Sequence, residues 1–195
     1  MKHSWRPGTM LNPLPAVLVS CGSTEQTRNL ITVAWTGTIC SDPAMCYISV
    51  RPSRHSYPIL LEEMEFIINL TTASMARATD WCGVRSGKDH DKWAESGLTP
   101  VKGIKTGCWF ADESPVAIEC RVKQVVHLGT HDMFIADVLN VIADDRYIDP
   151  ETGTLDLGKA DLLAYSHGHY YALGEQLGHF GFSVRKKGSE KKSRK

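Results

Sequence analysis

The chain has 195 residues, 42% of them hydrophobic and 23% charged, with 22 basic and 22 acidic side chains. That length and apolar content suit one compact domain and exclude a disordered, collagen-like or disulfide-scaffold chain. The charge divides unevenly, because residues 185–195 hold seven of the Lys and Arg and one acid, which leaves 15 basic against 21 acidic groups elsewhere, a net of −6.

A mildly acidic body with a short basic end does not present the basic face that nucleic acid requires, so no nucleic-acid partner is expected. No apolar run approaches the ~18 residues of a membrane span, and Met1 to Gly8 lack an apolar signal core. The reading is therefore a cytoplasmic protein without membrane insertion, made of one domain over 1–184 and a solvated, disordered tail over 185–195. Cysteines stand at 21, 40, 46, 82, 108 and 120 with no C-x-x-C pair. This spacing favours six reduced thiols, mostly small apolar core fillers, over a zinc or dithiol site.

In chain order, Ala16–Cys21, Leu30–Trp35 and Ala44–Val50 read as strands, rich in β-branched and aromatic residues, with Asp42-Pro43 turning between the last two. Ser56 is placed to cap a helix that runs through Pro58 to Leu61, since proline is tolerated in a first turn. Glu65–Leu70 is a fourth strand. Ser74 to Trp81 is expected to be helical and to end at Gly83 in the left-handed conformation, and Asp89 to Glu95 to form a third short helix before Gly97.

From Ile118 to Leu128 the charged Glu119, Arg121 and Lys123 alternate with apolar Ile118, Cys120 and Val122, the period of a strand with one face in a core and one in water. Gly129 to Asp132 turns the chain, and Met133 to Ile142 returns as the partner strand. Asp161 to Tyr165 is read as helical. Several strands, one long hairpin and short helices as plugs describe a mainly β (α+β) fold, a closed antiparallel barrel with peripheral helices, since closure removes exposed edges.

Several nucleotide and metal motifs are absent. Gly83 to Lys88 superficially resembles a phosphate loop, but three residues instead of four separate the glycines, and Asp89 stands where Ser or Thr would hold magnesium. No G-x-G-x-x-G follows a strand. His167-Gly168-His169 lacks a matching carboxylate or thiol, so no metal site is expected, and no nucleophile signature marks a catalytic residue.

The sharpest local signal is Val50-Arg51-Pro52-Ser53-Arg54-His55-Ser56, where a strand ends and Arg, His and Ser arrive at a helix start. Helix N-termini offer unpaired amides and a positive dipole end, and a guanidinium with a hydroxyl there suits an anion such as phosphate. A routine helix cap beside a surface arginine is equally consistent with these residues alone.

That run, together with Asn29-Leu30-Ile31-Thr32-Val33-Ala34-Trp35, Asp42-Pro43, Glu65 to Leu70, Asp80-Trp81-Cys82-Gly83, Asp89-His90-Asp91-Lys92-Trp93, Gly129-Thr130-His131-Asp132 and Leu177 to Gly181, resembles the flavin reductase-like family, and within it the flavoredoxins. The ordered series covers roughly residues 10–185. The resemblance implies an FMN-binding split barrel, a homodimer with each flavin near the subunit interface, and electrons arriving from NAD(P)H or a redox protein. By motif, Asn29, Trp35, Ser56, Lys92 and His131 would contact FMN, with Arg54 and Ser56 at the phosphate. His55 would face the phosphate or merely pack there.

The backbone of Thr32, Val33, Ala34 and Trp35 would face the flavin ring. Cys82, Gly83 and the loop to Lys92 would cover it, and Tyr165 would complete the pocket. Positive charge near the ring would stabilise its reduced anion, and Lys92 and His131 are the two candidates to supply it. Two functions follow: a nicotinamide-dependent flavin reductase, or an FMN-holding electron carrier between proteins, which the basic tail favours because such encounters are electrostatically steered.

Overall fold

The structure is a computed structural model and describes residues 1–184; the basic tail over 185–195 lies outside the described residues. The strands are β1 (Leu14–Pro15), β2 (Val17–Cys21), β3 (Asn29–Val33), β4 (Thr36–Ser41) and β5 (Ala44–Val50). Helix α1 (Ser56–Glu63), β6 (Glu65–Asn69), α2 (Ala76–Val84) and α3 (Lys92–Ser96) follow. Then come β7 (Pro100–Lys102), β8 (Trp109–Ala111), the long β9 (Val116–His127) and β10 (Asp132–Ala143), and a last hairpin, β11 (Leu163–Ser166) and β12 (His169–Ala172).

Seven strands form one antiparallel sheet in the order β3-β2-β6-β9-β10-β5-β4. It curls around the main core, which takes Val17, Val19 and Cys21 from β2, Ile48 and Val50 from β5, Phe66 and Ile68 from β6, Cys120 and Val122 from β9 and Phe134 from β10, with Leu60 of α1 as a plug. Burial of each of the larger side chains is worth about 1.5–3 kcal/mol. The mainly β fold with few helices is as expected, and the ladder is not closed among the described residues. Its two end strands, β3 and β4, are consecutive in the chain and separated only by Ala34 and Trp35. Near this seam the Trp35 carbonyl accepts a hydrogen bond from the Ser49 amide at 2.8 Å.

The outer face of β2 and β3 is covered as well. Leu18 and Leu30 pack against Met75, Cys82, Trp93 and Leu98 under α2 and α3, so all five residues of β2 are buried. That is why β2 reads as a continuous apolar run and not as an alternation.

Several local expectations change. Ser56 is the first residue of α1, with His55 at the cap position and no side-chain cap bond. Gly83 lies inside α2 and does not end it, because a Cβ there would come within 3.2 Å of Thr32 Cβ and the helix needs that close approach. Residues 163–166 are a strand and not a helix; His167 (φ 49°) and Gly168 (φ 82°) make the tight turn to β12. Strand β4 had no apolar alternation to reveal it, since most of it is an exposed edge.

Glu119 was placed in water by the alternation of β9, yet it is fully buried. The segment carrying Lys105 and Thr106 folds over that face. Glu119 Oε1 accepts from the Lys105 and Thr106 amides at 2.8 and 2.9 Å and from Thr106 Oγ1 at 3.1 Å, and its Oε2 accepts from Asn140 Nδ2 at 2.7 Å. Burial alone would raise the carboxyl pKa; these donors overcome it and hold the group below the usual range. Glu119→Ala would strand buried donors and is expected to lower stability by about 2–4 kcal/mol in urea denaturation. Glu119→Gln, which keeps an acceptor for the two amides, should lose less; equal losses would mean that the pocket needs the charge itself.

Candidate functional site

Two adjoining cavities open at the seam of the sheet. The larger, about 490 Å³, is walled by Ile31 to Trp35, Ser49 to Arg51, Arg54, Asp80, Gly83, Val84, His131, Tyr165, Gly168 and Tyr170. The smaller, about 140 Å³, is walled by Asn29, Ile31, Ser53 to Ser56, Cys82, Gly83, Arg85 to Gly87 and Lys92. They share Ile31, Arg54 and Gly83 and so form one bent space, in the range of about 300–1,000 Å³ usual for small-molecule sites.

All thirteen residues singled out in the sequence lie on these walls. Thr32, Val33, Ala34, Trp35, His131 and Tyr165 line the larger cavity, Asn29, His55, Ser56, Cys82 and Lys92 the smaller, and Arg54 and Gly83 both. Residues 29–35 reach both because β3 ends at the seam, while α1, α2 and α3 each present one end to the small cavity.

The small cavity is built for an anion. The first turn of α1 leaves the Ser56 amide at the positive end of its dipole, since the Tyr57 amide is bonded to Arg54 O and Pro58 has no N–H, and Arg54 supplies a guanidinium. Buried Ser56 is oriented by Asn29, whose Nδ2 donates to Ser56 Oγ at 2.7 Å. Lys92 is 4% exposed and is not part of a solvated helix face. Its Nζ donates to the Leu30 and Cys82 carbonyls at 2.8 and 2.7 Å, tying α3 to β3 and α2. An ammonium has three donors, and these bonds occupy two of them. Burial lowers the Lys92 pKa. Cys82 is fully buried, and burial pushes its thiol up to about 11, so it is not a thiolate near neutral pH.

The opposite wall is Arg85-Ser86-Gly87, part of the loop to Lys92 expected to cover the ring. The segment fails the triphosphatase loop pattern, yet it faces the α1 terminus across the small cavity and does not line the larger one. A Cβ at Gly87 would lie 2.3 Å from Asn29 Oδ1 and 2.8 Å from His55 Cδ2, so any side chain there displaces Asn29 and His55. The usable signal was the composition, an arginine, a serine and a glycine together, and not the motif.

The large cavity has an aromatic wall. Trp35 and His131 lie with ring centroids 4.3 Å apart and planes tilted by 46°. Arg51 Nε donates to His131 Nε2 at 3.3 Å. Since arginine can only donate, the ring proton sits on Nδ1, 3.0 Å from Thr130 Oγ1, and the imidazole is neutral. Burial, then Arg51 and Arg54, lower its pKa. Of the two candidates for a charge near the ring, His131 is thus neutral and Lys92 lines the other cavity. Arg51 and Arg54 carry the charge here. Among the described residues no group of three His, Cys, Asp or Glu could hold a metal ion.

The flavin reductase like domain model matches residues 10–174. A flavoredoxin of Desulfovibrio vulgaris (Miyazaki F) superposes with a TM-score of 0.87 at 29% identity, over 95% of this chain and all of that one. An uncharacterised protein of Archaeoglobus fulgidus is 26% identical over 139 residues, 71% of this chain and 77% of its own. The FMN reductase (NADH) RutF of Escherichia coli O127:H6 is 24% identical over 101 residues, 52% of this chain and 59% of that protein. The chain belongs to the flavin reductase-like family.

Gly87→Ala should close the small cavity while leaving the sheet intact. Titration calorimetry with inorganic phosphate is expected to show binding weakened about tenfold, a loss of about 1.4 kcal/mol. Unchanged binding would mean that segment 85–87 moves aside freely.

Proposed function

We propose that the protein is an FMN-dependent oxidoreductase of the flavin reductase and flavoredoxin type, passing reducing equivalents from NAD(P)H or a redox protein to an acceptor. The observation that carries this reading is the bent double cavity, with an anion cradle at one end and a Trp35–His131 wall at the other, a shape matched to a phosphate joined to a planar ring system. FMN fits the residues present: Gly87 leaves the cradle open where a Cβ would fill it.

In this assignment Ser53, Arg54, Arg85 and Ser56, with its amide at the start of α1, hold the phosphate, with Asn29 orienting Ser56 and His55 bordering Gly87. Thr32, Val33, Ala34, Trp35 and His131 border the ring, with Gly83 at the bend between the two ends and Tyr165 on the outer wall. The flavin, when bound, supplies one- and two-electron transfer. The protein's part is to hold it, exclude water from one face and set the local charge. Arg51 and Arg54 favour a negatively charged reduced ring, and His131, whose two ring nitrogens are engaged by Arg51 and Thr130, borders the ring without adding charge.

The working form is proposed to be a cytoplasmic homodimer. Exposed apolar side chains on both chain ends, Trp5 and Leu11 at one and Leu177 and Phe180 at the other, support a second copy as their cover. The alternative, an electron carrier without nicotinamide chemistry, is favoured by the fuller likeness to a flavoredoxin than to the NADH-dependent reductase.

The test is anaerobic addition of NADH or NADPH to the FMN-loaded protein. Fast loss of the flavin's visible absorbance with either nucleotide supports the reductase and names its donor. A yellow protein that only dithionite bleaches supports the carrier, and a protein that binds no FMN overturns both. Ser56→Ala is expected to weaken FMN about tenfold and to leave riboflavin, which lacks the phosphate, unchanged.

A further inference from the structure

Tyr57, Asp132 and His127 form a cluster that borders the site without lining it. The Tyr57 hydroxyl donates to Asp132 Oδ2, and His127 Nδ1 lies 2.8 Å from the same oxygen. Asp132 is 4% exposed; the Tyr57 hydrogen bond, ahead of the His127 contact, holds its carboxyl below the usual range.

The position of Asp132 in the sheet gives this cluster its meaning. As the first residue of β10, Asp132 pairs with Val50, the last residue of β5. Its side chain meanwhile holds Tyr57, the second residue of α1. One residue thus fixes both ends of the segment 50–57, by backbone register at one end and by its carboxylate at the other. That segment carries Arg51, Arg54 and Ser56, and inside it the turn is closed only by the bonds from Arg54 N to Arg51 O at 3.0 Å and from Tyr57 N to Arg54 O at 2.9 Å. Asp132 also directly follows His131, which meets Trp35 on one side and Arg51 on the other.

We infer that Asp132 is a positioning residue that clasps segment 50–57 and couples the anion cradle to the Trp35–His131 wall, so that a disturbance on the cradle side is felt at the ring end. The inference rests on the reading of the double cavity as an FMN site. Tyr57 is the handle that tests it, because its ring packs edge-on against buried Phe134 with centroids 5.7 Å apart. Tyr57→Phe keeps that packing and removes only the bond to Asp132.

The experiment compares FMN and riboflavin binding to the full chain by flavin fluorescence, in the wild type, Tyr57→Phe, Asp132→Asn and Asp132→Ala. A residue that served only the phosphate end would, like Ser56, affect FMN alone. Coupling predicts that Tyr57→Phe weakens both ligands by about the same factor, roughly tenfold. Asp132→Asn, which keeps an acceptor for the Tyr57 hydroxyl, should recover much of what Asp132→Ala loses. Riboflavin affinity unchanged in Tyr57→Phe would overturn the inference.

A second readout needs no cofactor and separates this inference from the assignment of FMN. The pKa of His131 is lowered in part by Arg51 and Arg54, so release of the segment that carries them should let the imidazole titrate at higher pH in Tyr57→Phe, followed by NMR of the ring protons. Should the wild type bind neither flavin, the functional reading falls while this titration still decides the coupling. A His131 titration unmoved by Tyr57→Phe counts against it.

Discussion

The two-residue join between β3 and β4 governs the architecture. These are the end strands of a seven-stranded sheet, and the curl of the sheet brings its ends together around the main core. With only Ala34 and Trp35 between them, the ends meet without completing the ladder. The gap is where the large cavity opens, walled by Ile31 to Trp35 on one side and Ser49 to Arg51 on the other. The site is a consequence of how the sheet ends, and the core beneath it makes the position rigid: Val33, Ile48 and Val50 are each buried within two residues of the cavity wall.

Around that seam the helices act as spacers with chemically useful ends. Helix α1 plugs the core with Leu60 and points its first turn into the small cavity. Helix α2 lies close against β3, a Cβ at Gly83 falling 3.2 Å from Thr32 Cβ, and α3 sends Lys92 back to the carbonyls of Leu30 and Cys82. Lys92 is thus as much a structural tie as a cation. A buried ammonium is tolerable only when its donors are satisfied, and both of its acceptors belong to elements that wall the same cavity.

Much of this was legible in the residues. The strands that build the core announce themselves by β-branched runs, and the order Asn29 to Trp35, Arg54 to Ser56, Lys92 and His131 marks out the walls of both cavities. What escaped notice did so for physical reasons. Strand β4 has no buried face to create a pattern, and Glu119 follows a half-exposed alternation because the segment that covers it comes from 14 residues earlier in the chain. Gly83 looks like a helix stop until the approach of Thr32 is seen. Arg85 to Gly87 lie opposite α1 only in three dimensions, and a search for fixed spacing rejects them. Period and propensity describe an element's own faces, not what another part of the chain lays over them.

The electrostatics of the two ends differ in kind, and that difference bears on how the site works. At the anion end the charge comes from guanidiniums, which stay protonated across the accessible pH range, so the hold on a phosphate varies little with pH through the cradle's own groups. At the ring end Arg51 and Arg54 act on an imidazole. By donating to Nε2, Arg51 fixes the His131 tautomer, and together with Arg54 it disfavours a second positive charge there. The positive charge over the ring therefore comes from fixed cations, with Asp80 the acid on the same wall, and the imidazole beside it is held by Arg51 and Thr130. An arrangement in which His131 carried the charge would make the reducing power of a bound flavin follow the titration of a single histidine. With the arginines in that role, ligand retention and the local potential are both tied to segment 50–57, whose two ends meet at Asp132.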